Sequence, residues 1–293
     1  MWPYDKFLGR RKRRPAIVAH RGYGADAPEN SLAALDAAMA VGADIVELDI
    51  RRASCGTLVV FHDKTLERMA GTAGAVADLP MDELSALPLR KGRGGADAPL
   101  TDQTIPSLQM ALRHARARCY LDLDVKDPAD LQKVAGLVRA VGMADSVDIK
   151  TPVSKPADAV ALFGVESRFG VMAVPILTLT AAQVSSHVRL VAPQRPELVE
   201  VVFDHLETFK EAVRALKRVN AKIFVNTLEG YCGEGLSDEM ALKDPAAVWG
   251  VLIAAGANVI QTDHPDALAD YLVASEREFR TARQKVGAWW KLS

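Results

Sequence analysis

Short apolar runs, each closing on polar residues, recur along the whole chain with amphipathic or alanine-rich segments between them. The runs predict strands at residues 17–20, 45–50, 120–125, 146–151, 168–174, 198–204, 222–227 and 258–263. The segments between and after them predict helices at 31–41, 107–117, 129–141, 155–163, 180–190, 207–219, 245–255 and 265–284. Strands that alternate with helices in this way build a parallel sheet, and eight such units close it into a (β/α)8 TIM barrel. An open doubly wound sheet alternates too. The count, and the polar residues at the strands' C-terminal ends, favour the barrel.

One apolar run stands outside the series. "TLVVFHD" (57–63) follows "IVELDIRR" after only the four residues "ASCG". A parallel crossover needs about a dozen residues or more, so these two runs predict an antiparallel hairpin. A turn centred on Cys55 and Gly56 would place Asp49 opposite His62. Residues 64–106 then carry many turn residues and little strand signal, with a helical stretch at 80–87. They are expected to form an insertion after the second strand, of the length that usually serves a lid or small subdomain. A second long loop, 229–245, follows the seventh barrel strand. The expected organisation is a basic N-terminal tail (1–14), a barrel domain (15–285) with its insertion, and a C-terminal tail (286–293).

Composition narrows the partners. Of 293 residues, 49% are hydrophobic and 25% charged, with a formal net charge of −1, so no global field draws nucleic acid or an anionic membrane. The exception is "GRRKRRP" (9–15), near Trp2, Tyr4 and Phe7, which reads as a solvated tail or, alternatively, as a contact for phospholipid headgroups. Cys55, Cys119 and Cys232 are odd in number and form no CxxC pair, which argues against disulfide scaffolding and structural zinc. No apolar run reaches the ~20 residues that span a bilayer, and no signal-peptide core follows the N-terminal charges. A cytoplasmic location is expected, or a periplasmic one if a leader was removed. Trp289 and Trp290 either pack on the barrel or leave a homo-oligomer interface open.

The chemistry gathers where the strands end. His20 and Arg21 end the first strand; Glu47 and Asp49, two apart, share one face of the second; Asp124 and Lys126 share one face of the third, where Asp122 lies two residues earlier. The hairpin returns His62. Three carboxylates aimed at one small volume repel unless a cation joins them, and an all-oxygen set favours Mg2+ or Ca2+. With that cation, Arg21 and Lys126, the site carries one net positive charge when both histidines are neutral, which a phosphodiester anion cancels. Two histidines flanking such an anion suit general acid–base catalysis.

These residues fall within "AHRGYGADAPENSLAAL", "ADIVELDI", "LVVFHDKTLERMAGTAG", "TIPSL", "LDVK" and "GANVIQTDHPDAL". In that order they resemble the motifs of the glycerophosphodiester phosphodiesterase family, HRG…PEN, ExD, HD with a following LxR, ExK and a terminal TDxP, and with "FVNTL" they look like a bacterial subgroup. The matches run from residue 19 to 268. The resemblance implies a TIM barrel, one divalent cation, and hydrolysis of a small glycerophosphodiester to glycerol 3-phosphate and an alcohol. His20 and His62 match the catalytic pair, Glu47 and Asp49 metal ligands, and Arg21 and Lys126 phosphate-binding positions. Asp124 stands where the family usually has Glu, so it, or Asp122, is the expected third ligand. Asn226 stands where many members have Trp, which suggests a more polar leaving group. Two alternatives stay open: the same chemistry on a sugar phosphodiester or lysophospholipid, and a barrel that binds phosphodiesters without turnover. Asn30 and Ser31 are expected as helix N-cap residues, Glu29 as a partner for Arg21, and Asp263 as a brace at the mouth.

Overall fold

The computed structural model describes residues 1–10, 14–24, 27–233 and 235–289, with side chains to residue 277. Its strands are β1 (Ala16–Ala19), β2 (Ile45–Arg52), β3 (Leu58–Val60), β4 (Pro88–Arg90), β5 (Leu100–Thr104), β6 (Tyr120–Val125), β7 (Val147–Pro152), β8 (Met172–Leu179), β9 (Leu198–Phe203), β10 (Lys222–Asn226) and β11 (Val259–Thr262). Eight of these run parallel in the order β1-β2-β6-β7-β8-β9-β10-β11, and β11 pairs back onto β1 to close a (β/α)8 barrel. The helices between the strands bury their apolar stripes, for example Leu108, Ala111, Leu112 and Ala115 of the helix Leu108–Ala115, against the outer faces of the strands.

The predicted antiparallel hairpin forms, one register step away from the expectation. β2 pairs β3 with Ile50 opposite Val60 and Arg51 opposite Val59, so Asp49 faces Phe61, whose N–H donates to the Asp49 carbonyl (2.9 Å). The loop holds three residues, not two, because Ala53 N–H bonds the Thr57 carbonyl and Gly56 adopts a left-handed φ of 85°. His62 therefore lies one residue beyond the expected position. The fifth barrel strand also differs from its prediction. The preceding helix continues to Phe169, and β8 starts at Met172 and passes through Pro175, a residue that usually ends a strand.

The insertion has its own small core of Val59, Phe61, Leu66, Met69, Leu84, Leu89 and Ile105, covered by the antiparallel pair β4–β5 and a short helix at Met81–Leu84. Within the segment read as a tail, residues Tyr4–Arg10 form a helix that closes the barrel base. Tyr4 and Leu8, one helical turn apart, are buried against Val18, Ile45, Tyr120, Met172 and Phe224, and Phe7 stacks on Tyr120 at 4.3 Å between centroids. Apolar spacing outweighs the charge that made this stretch look solvated. Arg11, Lys12 and Arg13 of the basic run, and residues 290–293 of the C-terminal segment, lie outside the described residues; the last helix runs Pro265–Trp289. Among the described residues no helix is long and apolar enough to cross a membrane.

Candidate active site

The parallel register of β2 and β6 sets Glu47 beside Asp122 and Asp49 beside Asp124. Glu47, Asp49 and Asp124 each present an oxygen within 4.8 Å of the others, the first two buried and the third partly exposed. Their donor set is all oxygen, which suits a hard divalent cation. Asp122 does not join them. One layer deeper, it pairs with the buried Lys150 ammonium (2.8 Å), which also reaches Glu200 (3.1 Å) and donates to the Gln261 side-chain oxygen (3.2 Å). Burial holds the Asp122 carboxyl well above the carboxylate range and lifts its neighbour Asp148 to about 6.

The loop after β1 wraps this cluster. Gly22 crosses so close to the 32–40 helix that a Cβ there would lie 2.7 Å from that of Ala34. Arg21 adopts φ 56° and donates its backbone N–H to Glu47 Oε2 (2.9 Å), while its guanidinium reaches Asp49 (3.2 Å) and Glu29 (3.0 Å). Ser31 is the helix N-cap, accepting from Ala34 N–H. Asn30 is not a cap. At φ 60° its side-chain amide donates to Asp49 Oδ2 (2.7 Å) and its Oδ1 accepts from Asp49 N–H (3.1 Å). Lys126 completes the cluster by bridging Asp49 Oδ1 (2.6 Å) and Asp124 Oδ2 (2.5 Å).

Each histidine is held from behind by an aspartate. His20 Nδ1 lies 2.7 Å from Asp263 Oδ1 and His62 Nδ1 lies 2.7 Å from Asp63 Oδ1. Both carboxyls lie below their ordinary range: burial alone would raise them, but His20 and Arg93 outweigh it at Asp263, and Arg68 and His62 at Asp63. An ionised carboxylate only accepts, so each Nδ1 carries the proton and each Nε2 is left to act. Glu29 ties the two dyads together. It accepts from Arg68 (2.6 Å), which grips Asp63 through two nitrogens, and from Arg93 (3.5 Å), which also contacts Asp263.

Burial in a cationic surround separates the acids and bases. Burial and then the Arg21 and Arg93 charges push His20 down to about 4, with Asp263 pulling the other way. Burial would raise Asp49, but Lys126 and Arg21 outweigh it and hold the carboxylate ionised. Burial and the adjacent Asp49 push Glu47 well up.

Comparison with known proteins agrees with this geometry. The model of the Glycerophosphoryl diester phosphodiesterase family matches residues 20–267. The chain belongs to this family. The mouse Glycerophosphodiester phosphodiesterase 1 is 38% identical over 124 residues, which are 42% of this chain and 37% of the mouse protein, so the match spans well under half of that relative. The crystal structure of a glycerophosphodiester phosphodiesterase from Agrobacterium tumefaciens superposes with a TM-score of 0.66 at 27% identity, covering 87% of this chain and 99% of that one. A phosphodiesterase from Oleispira antarctica, in complex with the product sn-glycerol-3-phosphate, shares the fold with a TM-score of 0.62 at 20% identity, over 88% of this chain and 96% of that one.

The roles of three residues in this site are not legible in the sequence. Asn30 touches a cluster carboxylate, though its place before Ser31 reads as helix-start chemistry. Asp238, inside the 229–245 loop, is buried and accepts from Thr227 and Thr262 hydroxyls (2.6 and 2.7 Å) and from Asp263 N–H (2.7 Å), which fixes the brace of His20. Arg93 arrives from the insertion. Asn226 lies inside the barrel, where its amide donates to Glu200 (2.7 Å), so it does not offer that amide to a leaving group as expected.

Proposed function

We propose that this family member hydrolyses glycerophosphodiesters to glycerol 3-phosphate and an alcohol, with His20 and His62 as the proton-transfer pair. The observation that carries this reading is the pair of imidazoles, each with Nδ1 fixed by an aspartate, beside the Glu47–Asp49–Asp124 cluster. One divalent cation, Mg2+ or Ca2+, would be held by those three carboxylates and would supply Lewis-acid polarisation of a phosphoryl oxygen.

The chain's own residues account for the remaining work. Arg21 and Lys126 carry the positive charge that meets the diester anion and the extra charge of the transition state. His20 stays neutral down to about pH 4, so its Nε2 is suited to take the proton from an attacking water as the new P–O bond forms. His62 acts as the acid: it must enter the step as the imidazolium, with Nδ1–H held by Asp63, and gives its Nε2 proton to the alcohol oxygen as the old P–O bond breaks. Asp263 holds the neutral His20 ring in its Nδ1–H tautomer, and Asp63 orients the His62 ring.

The test is hydrolysis of glycerophosphocholine and glycerophosphoethanolamine with Mg2+ or Ca2+, with and without EDTA. Activity should need metal and should fall by ~10²–10⁴-fold in His20→Ala and in His62→Ala. Metal-independent turnover, or full activity in either variant, overturns the proposal. Burial of Asn226 removes one motive for a sugar phosphodiester or lysophospholipid, the 229–245 loop being the other, and the intact dyads, which a binder does not need, speak against a barrel without turnover.

A further inference from the structure

β2 continues its mouth-facing row one step beyond the carboxylates. Glu47, Asp49 and Arg51 alternate with Leu48 and Ile50, so Arg51 is the next rung on the same face. Its Nε donates to the His62 carbonyl (2.7 Å), and its two terminal nitrogens take no partner among the described residues. Beside it, next to Lys126, opens a cleft of about 300 Å³ walled by Arg51, Arg52, Lys64, Lys126, Asp127 and Asp130.

The ion pairs of that wall leave some of its cations out. Arg52 is answered by Asp130 (3.2 Å) and Asp127 (3.9 Å), and Lys126 by Asp49 and Asp124. The acids that act on Arg51 from nearby are Asp49, Asp63 and Asp124. Each of them is already held, by Lys126, by Arg68 and by Lys126 in turn. Lys64, exposed and lining the same cleft, has no side-chain partner among the described residues. Arg51 and Lys64 are therefore left without a carboxylate partner among the described residues, the first braced through its Nε, and both line a cleft that adjoins the diester's anchor.

The geometry points to a second anion subsite that selects diesters whose alcohol carries a carboxylate or a phosphate. The substrate's diester phosphate lies at Arg21 and Lys126, and the anion on its alcohol lies between the Arg51 guanidinium and the Lys64 ammonium. This rests on the phosphodiesterase reading above. The cleft is at the small end of ligand pockets, which fits a compact polar headgroup and not an acyl chain.

The test compares glycerophosphoserine with glycerophosphoethanolamine, two substrates that differ by one carboxylate. The wild-type enzyme should favour the serine diester in kcat/KM by roughly tenfold or more, as expected for a charge-assisted pair. Lys64→Gln should lower the ratio several-fold, Lys64→Glu should lower it further, and Lys64→Arg should keep it. Lys64 is exposed, so the folded protein is expected to survive all three. Hydrolysis of both diesters at equal kcat/KM by the wild-type enzyme overturns the subsite alone. Hydrolysis of neither overturns the phosphodiesterase reading and the subsite with it.

Discussion

Asn30 and Asp49 grip each other through two hydrogen bonds, side-chain amide to carboxylate (2.7 Å) and backbone N–H to side-chain carbonyl (3.1 Å). Both residues are buried, at 2% and 1% exposure, so neither bond can be replaced by water. Asn30→Ala leaves the Asp49 N–H orphaned and puts a Cβ-bearing residue without a local hydrogen bond at φ 60°. It should cost ~2–4 kcal/mol of stability. Asn30→Gly removes the same bonds without the backbone strain and should be ~1 kcal/mol more stable than the alanine variant. Both should lose ~10–100-fold in kcat/KM, as when a group orienting a metal ligand is removed. Urea unfolding and steady-state kinetics check this; a glycine variant with wild-type kinetics would show that Asn30 only shapes the loop.

Glu29 is buried and accepts from Arg21, Arg68 and Arg93, two of which arrive from the insertion. Removing its charge leaves arginines crowded at the mouth without their shared anion. Glu29→Gln should destabilise the fold by ~3–5 kcal/mol. Combined with Arg68→Ala, the loss should be less than additive by ~1–3 kcal/mol, because the second change removes a charge that the first left uncompensated. A double-mutant cycle on urea midpoints measures this. Strict additivity would mean the insertion does not brace the dyads through Glu29.

How far the chain could be read follows the range of the interactions. The eight strands are local patterns, and the carboxylate cluster follows from strand periodicity plus the parallel register of β2 and β6. The hairpin slipped by one because a three-residue loop with a left-handed Gly56 has the same composition as a two-residue turn. Tyr4 and Leu8 signalled a helix by their spacing, but the charges beside them masked it. Asp238 was out of reach. Its partners Thr262 and Asp263 lie 24 and 25 residues away and meet it only once β10 and β11 are paired.

His20 should give stability a pH dependence of definite sign. Its folded value, about 4, lies below the free value of 6.5, so the unfolded chain takes up a proton first as pH falls. Stability owed to a neutral His20 is full above pH 6.5 and is lost between 6.5 and about 4. The total is on the order of 3 kcal/mol. Asp148 works in the opposite sense, since its carboxyl is raised from 3.8 to about 6 by burial and its contribution fades as pH rises through that value. The two partly mask each other in the wild-type curve. The difference between wild type and His20→Asn, measured by urea unfolding in EDTA, isolates the histidine. A difference that stays flat from pH 7 to 4 would place the ring in a more solvated setting than the structure shows.

Asp124 differs from the other two carboxylates in being only partly buried, and it is the position where the family usually has Glu. If it is a ligand, Mg2+ or Ca2+ at a hundred times its Kd should stabilise the protein by ~2.7 kcal/mol. Asp124→Asn should weaken metal binding by ~10–100-fold or more, and Asp124→Glu should retain most of it. Glu47 adds a second signature. Burial and Asp49 hold its carboxyl well above the ordinary range, so binding must release a proton and affinity should rise with pH. Calorimetric titrations in two buffers of different ionisation heat read both the affinity and the released proton. Unchanged affinity in Asp124→Asn would leave only Glu47 and Asp49 in the donor set, and the third ligand would then have to come from the substrate or from solvent.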